Sequence, residues 1–380
     1  MNEAQKQLLA LVRAVIRGEE LPACDRWADL FEIARIHGIG NLFYYAIKSK
    51  NTVPSEVLSD AKQHYMANVA QQISQEYYAA ELFSAFEEKG IKYMPLKGYY
   101  MRDLYPEREL RTSCDVDVLY DETDHAKVSE ILEGMGFESE GKSINHEGWM
   151  KDSVTVEMHH NILSDRGTFA EYYKDVWSRL TTENGTRYQF NDEDFYVYFL
   201  AHSAKHFSFG GFGIRTVLDV YFYRLKKTLN QEYLDVELEK AHLKSFAQAI
   251  ERLASVWFGD QPMDEDMKML GDYVFDSGAY GISMHSAVMK GVSSEGSVKQ
   301  TKVAYFFKTL FPGYKWMKAS FPVLKKAPFL LPFAWVYRWF YVLFTDKSKY
   351  SRALKRCNAI DDQKVNKAKR ILEITDIPLD

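Results

Sequence analysis

The segments that decide the fold are Asp115–Tyr120, with the sequence DVDVLY, and Val154–His160, with the sequence VTVEMHH. Each alternates polar and apolar residues, a pattern typical of a β-strand that is buried on one face. Because side chains alternate across a strand, Asp115 and Asp117 point to one face and the neighbouring valines to the other. If the second strand pairs beside the first, Glu157 joins the two aspartates on that face.

Three clustered carboxylates predict a metal site. Adjacent carboxylates repel one another, and a divalent cation removes that cost. Magnesium prefers oxygen ligands and usually takes carboxylates together with phosphate oxygens. Two such ions can assist an in-line displacement at phosphorus. We therefore expect Asp115, Asp117 and Glu157 to be catalytic residues that bind Mg²⁺ (or Mn²⁺), the alternative being a solvated strand face, which is the commoner origin of a lone Asp-x-Asp.

Upstream of these strands lie a glycine and two cations that we expect to bind a nucleotide. Gly98 follows a predicted strand, where the missing side chain would let phosphate approach the backbone. Lys97 and Arg111 could neutralise phosphate charge. Two structural alternatives stay equally open, namely Lys97 as an exposed lysine at a helix start and Arg111 as the ion-pair partner of Asp115 or Asp117.

The elements around the two strands indicate an α+β protein. Residues 1–90 repeat apolar residues at three- and four-residue steps, which predicts an N-terminal helical region. Residues 91–163 alternate short strand and helix patterns, which predicts a small mixed β-sheet. Residues 164–380 predict helices again, with an aromatic tail. The expected architecture is a small sheet embedded between two helical regions.

Local signals place several element ends. Pro54 is expected to open a long helix that runs to Glu88. The segment Lys97–Tyr105 is expected to be a helix that ends before the next residue, a proline. Thr123 is expected to cap the following helix, and Gly136 to end it.

The run from Leu96 to Asn161 resembles the uncharacterised nucleotidyltransferase family of the DNA polymerase β-like superfamily. The resemblance rests on five short motifs and two downstream ones, in family order: LKG (Leu96–Gly98), LYPERELR (Leu104–Arg111), DVDVL (Asp115–Leu119), Gly136–Phe137, VEMHHNIL (Val156–Leu163), HSAKH (His202–His206) and IRTVLD (Ile214–Asp219). Members of the superfamily carry a Gly-Ser pair closer to the Asp-x-Asp strand, whereas this chain has Lys97-Gly98 further upstream.

The resemblance implies a polymerase β-like palm, magnesium dependence and a nucleoside triphosphate donor. On this basis Asp115 and Asp117 hold magnesium, and Glu157 contributes to a second ion or deprotonates the acceptor. The expected activity moves a nucleoside monophosphate from the triphosphate to an unidentified hydroxyl or phosphate acceptor. The alternative is a non-catalytic protein that binds a nucleotide or a partner, with or without association with a membrane surface.

Four further residues are candidates for contacts with substrate. His159 shares the strand face of Glu157 and could act as a base, contact phosphate or orient a carboxylate. His202 and His206 are four residues apart on a predicted helix, and the missing glutamate argues against a zinc site of the HExxH type. Arg215 is expected on the next helix, paired with Asp219.

Composition limits the classes of partner. The chain has 380 residues and a formal net charge of −5, which gives no strong signal for nucleic-acid binding. Its three cysteines are widely spaced, which suits a reducing cytoplasm. The segment Ala327–Phe344 is rich in aromatics but is interrupted by Pro328, Pro332 and Arg338, so it falls short of a membrane-spanning helix. We expect a buried helix there, with a membrane-surface helix as the less favoured alternative.

Overall fold

The computed structural model describes residues 1–143, 145–163, 167–182, 184–279, 281–292, 297–345 and 348–377. A five-stranded mixed sheet lies among helices, which confirms the predicted α+β class. The N-terminal region is helical as predicted, with four helices: α1 (Glu3–Arg17), α2 (Trp27–Ile36), α3 (Gly40–Ile47) and α4 (Ser55–Glu88). The last of these begins directly after Pro54, as expected for a proline at a helix start.

The sheet is built from one compact stretch of chain. Its strands have the spatial order β1-β2-β5-β4-β3, with β2 and β5 parallel and the other pairs antiparallel. Two helices, α5 and α6, connect them. The bounds are β1 (Tyr93–Pro95), α5 (Lys97–Met101), β2 (Asp115–Tyr120), α6 (His125–Gly134), β3 (Glu138–Lys142), β4 (His146–Lys151) and β5 (Val154–His159).

One face of this sheet is apolar and packs under helices. Val118 and Val156 are fully buried in a cluster that includes Leu82 and Phe86 of α4 and Leu132 of α6. Burial of each such side chain stabilises the fold by about 1.5–3 kcal/mol. A one-residue slip in strand register would turn the acidic residues into this cluster. The packing therefore fixes which face carries the carboxylates.

Two predicted element ends are wrong in detail. Helix α5 ends at Met101 and continues as a 3₁₀ turn, because Tyr105 precedes a proline and takes an extended backbone conformation. Thr123 does not cap α6, because it lies inside a 3₁₀ turn (Glu122–Asp124) that precedes the helix and is capped by Asp121. The Asp121 carboxylate accepts a hydrogen bond from the Thr123 backbone N–H at 3.0 Å, and Asp at such a position is as good a cap as Thr.

The C-terminal region is mostly helical, as predicted. Its elements are α7 (Gly167–Tyr172), β6 (Thr181–Thr182), β7 (Tyr188–Gln189), α8 (Asp192–Phe209), α9 (Ile214–Lys226), α10 (Gln231–Lys240), α11 (Lys244–Phe258), α12 (Glu265–Ser277), α13 (Ser283–Gly291), α14 (Val298–Leu310), α15 (Tyr314–Ser320), α16 (Val323–Lys326), α17 (Leu331–Thr345), α18 (Ser348–Asn358) and α19 (Asp362–Thr375). The small β6–β7 sheet was not predicted. It lies beside β1, where the Tyr93 N–H donates to the Thr186 carbonyl at 2.9 Å.

The main hydrophobic core draws on all parts of the chain. It joins Leu8 of α1, Leu119 of β2, Phe207 of α8 and Ile371 of α19, each almost fully buried. The predicted boundary between sheet and C-terminal region falls at residues 164–166, which lie outside the described residues. The division into three regions stays a prediction.

The aromatic tail differs from the expected buried helix. Helix α17 exposes Phe333 and Phe344 to 71% and 80%, and Phe329 before it to 76%. Among the described residues it packs on a small separate cluster around Met317 and Leu324, and the prolines before it divide the chain into short helices that do not form one continuous apolar helix. No helix among the described residues is long and apolar enough to cross a membrane.

Candidate active site

The three predicted carboxylates meet on the polar face of the sheet. In the parallel β2–β5 pair, Asp117 lies directly opposite Glu157. One oxygen from each of Asp115, Asp117 and Glu157 lies within 4.8 Å of the others. The geometry expected from the strand alternation is therefore present. Glu157 keeps 28% of its side chain exposed, so the group is open to solvent at one side.

These carboxylates perturb one another. The charge of Asp117, with burial, raises the pKa of Asp115 to about 6. Burial opposes ionisation of Asp117, but a hydrogen bond with His159 at 3.0 Å holds its pKa at about 2. Crowded oxygen ligands of this kind suit a divalent cation, because the cation would remove the repulsion.

Two histidines extend the acidic group. The His159 Nε2 atom lies 3.0 Å from Asp117 and 3.3 Å from Glu157. Burial opposes its protonation, but these two hydrogen bonds raise the pKa of His159 to about 9. His146 lies opposite His159 in the antiparallel β4–β5 pair. Its Nε2 atom is 3.7 Å from Glu157, while its Nδ1 atom contacts Ser143 at 3.2 Å.

His146, Glu157 and His159 thus form a second group that could hold a metal ion, with ligand atoms within 4.8 Å of one another. His146 was not among the predicted site residues. Its position follows from the pairing register of β4 with β5, which the alternation of a single strand does not reveal.

The lysine-glycine turn lies beside the carboxylates. The Leu96 N–H donates to the Asp117 carbonyl at 2.8 Å, which brings Lys97 and Gly98 to the end of β2. The Lys97 ammonium contacts the Nε2 atom of His202. Burial lowers the pKa of Lys97 to about 8, although the two aspartates oppose that shift. Lys97 is therefore a half-buried group at the site and not the freely exposed lysine of the structural alternative.

Ser113 is a site residue that the sequence did not reveal. A side chain at Gly98 would place its Cβ atom 3.1 Å from the Ser113 Oγ atom. That hydroxyl donates to the Asp115 carbonyl at 3.0 Å. The expected Gly-Ser pair is absent from the sequence at Gly98, but a glycine and a serine from separate segments lie together in space.

Helix α8 covers the polar face with basic groups. The Nε2 atoms of His202 and His206 are 2.7 Å apart, so the two histidines share a face as predicted. Lys205, between them in the sequence, donates to the Leu163 carbonyl at 3.1 Å. Burial lowers the pKa of Lys205, and the charges of Glu157 and Asp117 oppose this. Lys205 was also not predicted, although it lies inside the HSAKH motif.

The predicted ion pair of Arg215 with Asp219 is wrong, and Arg111 does not form the alternative ion pair with Asp115 or Asp117. Arg111 makes a buried two-bond pair with Asp219, with Nε–Oδ1 and Nη2–Oδ2 distances of 2.8 and 2.9 Å. Arg215 instead donates to the Thr112 carbonyl at 2.8 Å. The physical reason is that α9 packs on the turn before β2, a contact between distant parts of the chain. The Nη1 atom of Arg111 lies 4.0 Å from the place of a Cβ atom at Gly98.

Comparison with known proteins agrees with this arrangement. A family model described as an uncharacterised nucleotidyltransferase matches residues 23–259, more than half of the chain. The chain belongs to this family. It is a nucleotidyltransferase, a phosphorus-transferring enzyme. No curated protein and no solved structure matches it.

The matched range contains every residue described at the site. Membership in a nucleotidyltransferase family implies a nucleoside triphosphate substrate, and such enzymes usually use divalent metal ions. The acidic groups of this nucleotidyltransferase provide suitable ligands. The aromatic tail lies beyond residue 259, outside the matched range.

Proposed function

We propose that this nucleotidyltransferase moves a nucleoside monophosphate from a nucleoside triphosphate to a hydroxyl or phosphate acceptor at the face formed by β2 and β5. The observation that carries the proposal is the convergence of Asp115, Asp117 and Glu157 within 4.8 Å. Basic groups on α5 and α8 lie around them. A triphosphate needs this combination, since it brings several negative charges to a site that is itself acidic.

Asp115, Asp117 and Glu157 are the proposed ligands of Mg²⁺ or Mn²⁺. A divalent cation there would neutralise the carboxylates and polarise the phosphate oxygens during attack. His146 adds an imidazole nitrogen next to Glu157. Magnesium prefers oxygen, whereas manganese accepts imidazole more readily. We therefore propose that Mn²⁺ serves at least as well as Mg²⁺.

The phosphates are proposed to lie between the lysine-glycine turn and α8. Gly98 leaves space for a phosphate beside the backbone. Lys97 and Lys205 supply positive charge near the carboxylates. Two nitrogens of Arg111 are bound to Asp219. Arg111 is therefore proposed to attract the phosphates through its positive charge from a buried position.

The transfer itself needs one base. The acceptor oxygen bonds to the α-phosphorus, and the bond from that phosphorus to the bridging oxygen breaks, releasing pyrophosphate. Glu157 is the proposed recipient of the acceptor proton, since its side chain is 28% exposed whereas that of Asp117 is 10% exposed. His159 holds Asp117 and Glu157 in place. His206, exposed at the mouth of the site, and Arg215 are proposed to face the acceptor side.

Substitution of one metal ligand tests this function. Asp117→Asn keeps the shape of the side chain and removes its charge. Purified protein is incubated with each nucleoside triphosphate, Mg²⁺ or Mn²⁺ and a panel of acceptors, and pyrophosphate is measured. The substitution should lower the rate about a thousandfold, because it removes several kcal/mol of charge stabilisation. It should also abolish the nucleotide- and metal-dependent rise in melting temperature.

Asp152→Asn is the matched control. Asp152 is exposed in the turn between β4 and β5 with a φ of 52°, a backbone conformation that asparagine accepts well. This control should leave the rate and the thermal shift unchanged. A metal response that persists in Asp117→Asn would remove the carboxylates from the proposed metal site.

A further inference from the structure

The C-terminal aromatic surface is the outer face of α17 with the residue Phe329 before it. Its members recur at helical spacing, so they share one side of the helix. All are more than half exposed, with values from 56% to 80%. The surface consists of Phe329, Phe333, Tyr337, Phe340, Tyr341 and Phe344. A surface helix usually turns its polar side to water, and this one turns aromatic rings outward.

The inner face of α17 makes three hydrogen bonds to the chain beneath it. The indole N–H groups of Trp335 and Trp339 donate to the Pro312 and Leu310 carbonyls, at 2.9 and 2.7 Å. Arg338, 8% exposed, donates to the Thr309 carbonyl at 3.3 Å. These contacts fix the rotation of the helix, so the aromatic rings point outward as a consequence of specific hydrogen bonds. An exposed apolar patch of this kind marks an interaction site.

The charge of the chain segment that carries this surface indicates the kind of partner. Residues 298–358 contain thirteen lysines and arginines and a single acid, Asp346, although the whole chain has a net charge of −5. The same segment contains sixteen aromatic residues. Two copies of so basic a segment would repel each other. Anionic lipid headgroups attract such a segment, and aromatic rings partition into the headgroup region.

We propose that the C-terminal aromatic surface docks onto a lipid bilayer with anionic headgroups. The rings lie in the interfacial layer, and the surrounding cations contact the headgroups. The helix lies on the membrane and does not cross it. The proposal is independent of the proposed function, because it uses no residue of the active site.

The test is cosedimentation of the full chain with vesicles. Phosphatidylcholine vesicles with a quarter of phosphatidylserine should bind the protein. Vesicles of phosphatidylcholine alone should bind it less, and high salt should release it from the anionic vesicles. The triple variant Phe333→Ser, Phe340→Ser, Phe344→Ser should lower partitioning onto anionic vesicles about tenfold or more.

A matched control changes three apolar residues that are equally exposed elsewhere. Ile73→Ser, Tyr77→Ser and Leu225→Ser together replace side chains that are 58–62% exposed on α4 and α9. This control should bind vesicles as the unmodified chain does. Equal losses of vesicle binding in both triple variants would show nonspecific adsorption through any exposed apolar side chain and would overturn the proposal.

A second variant covers the case in which the triple variant folds poorly. Lys326→Glu with Lys355→Glu alters two exposed cations and no packing. It should weaken binding to anionic vesicles and leave binding to neutral ones unchanged. The proposal is overturned if the unmodified chain does not cosediment, or if it forms a dimer that the triple variant dissociates without any vesicle binding.

Discussion

At the scale of single residues, the two histidines beside Glu157 are the groups that we expect to influence the choice of metal ion. Their ring centres are 4.9 Å apart on neighbouring strands. Ser143 holds the Nδ1 side of His146, so the Nε2 side faces Glu157. A hydrogen bond to the far nitrogen orients an imidazole as a ligand and fixes its tautomer.

We expect His146→Asn to change the choice of metal. Mn²⁺ should stabilise the unmodified protein in the presence of nucleotide, and the substitution should remove much of that shift, since a lost imidazole matters most for manganese. The Mg²⁺ shift should change little. Thermal melting with each metal measures both effects.

His125→Asn is the control for that experiment. His125 is half-exposed in the same sheet region and contacts Tyr120, outside the acidic groups. It should leave both metal responses intact. Equal loss of the Mg²⁺ and Mn²⁺ shifts in His146→Asn would show that the histidine does not select between them.

The sequence predicted some site residues and missed others for a physical reason. Asp115, Asp117 and Glu157 were placed on one face because side-chain alternation is a local property of a strand. His146 and Lys205 depend on strand register and on the packing of α8, which join distant residues.

At the scale of elements, the turn between α8 and α9 determines where the basic helix face lies. Gly210 and Gly211 have φ values of 149° and 97°, which side chains other than glycine rarely adopt. A Cβ atom on Gly211 would also lie 1.9 Å from the Ser277 Oγ atom of α12. The turn therefore packs directly against a neighbouring helix.

Gly211→Ala should destabilise the protein by about 2–4 kcal/mol, the sum of backbone strain and overpacking. Urea denaturation measures this loss. Gly185→Ala is the control, since Gly185 has a φ of 80° but open space around it, so it carries the backbone strain alone. Equal losses in the two variants would contradict a role for the contact with Ser277.

Elements with strong local signals were predicted well. Helix α4 and strands β2 and β5 agree with the sequence patterns to within a residue. The end of α5 was missed because a 3₁₀ turn has nearly the same sequence preferences as the last turn of an α-helix. The cap at Asp121 was missed because Asp and Thr are both good capping residues and lie close together here. The short β6–β7 sheet was missed because two-residue strands carry no periodicity.

At the scale of the whole molecule, the last helix closes the main core. Helix α19 packs on α11, α12 and α13, far back in the sequence. Its Ile371 is fully buried in the main core. The aromatic tail is therefore an excursion between α14 and α19, both of which contact the same helical body.

Ile371→Ala should cost about 2–5 kcal/mol of unfolding free energy, as for other large-to-small core substitutions. Leu354→Ala, at a side chain that is 50% exposed, should cost much less. Urea denaturation followed by both circular dichroism and tryptophan fluorescence measures the change. A separate early transition confined to one probe would contradict a single core that includes α19.

The exposure of the aromatic tail could not be predicted from its composition alone. The aromatics and prolines of Ala327–Phe344 favoured a buried helix, although they are also compatible with an exposed one. Which face of α17 is exposed depends on the hydrogen bonds of its two tryptophans. Their partners are carbonyl groups at and just after the end of α14.

The buried pair of Arg111 and Asp219 also sets an order of events during synthesis. The two residues are 108 positions apart, so a ribosome makes Asp219 roughly 5–20 s after Arg111. All three carboxylates have been made by then, but the turn before β2 still lacks the partner of its buried cation. We expect the carboxylate site of the nascent chain to remain disordered and inactive until α9 has left the ribosome. The enzyme would then exist either as an inactive nascent chain or as the complete folded protein. No shorter active fragment would form during synthesis.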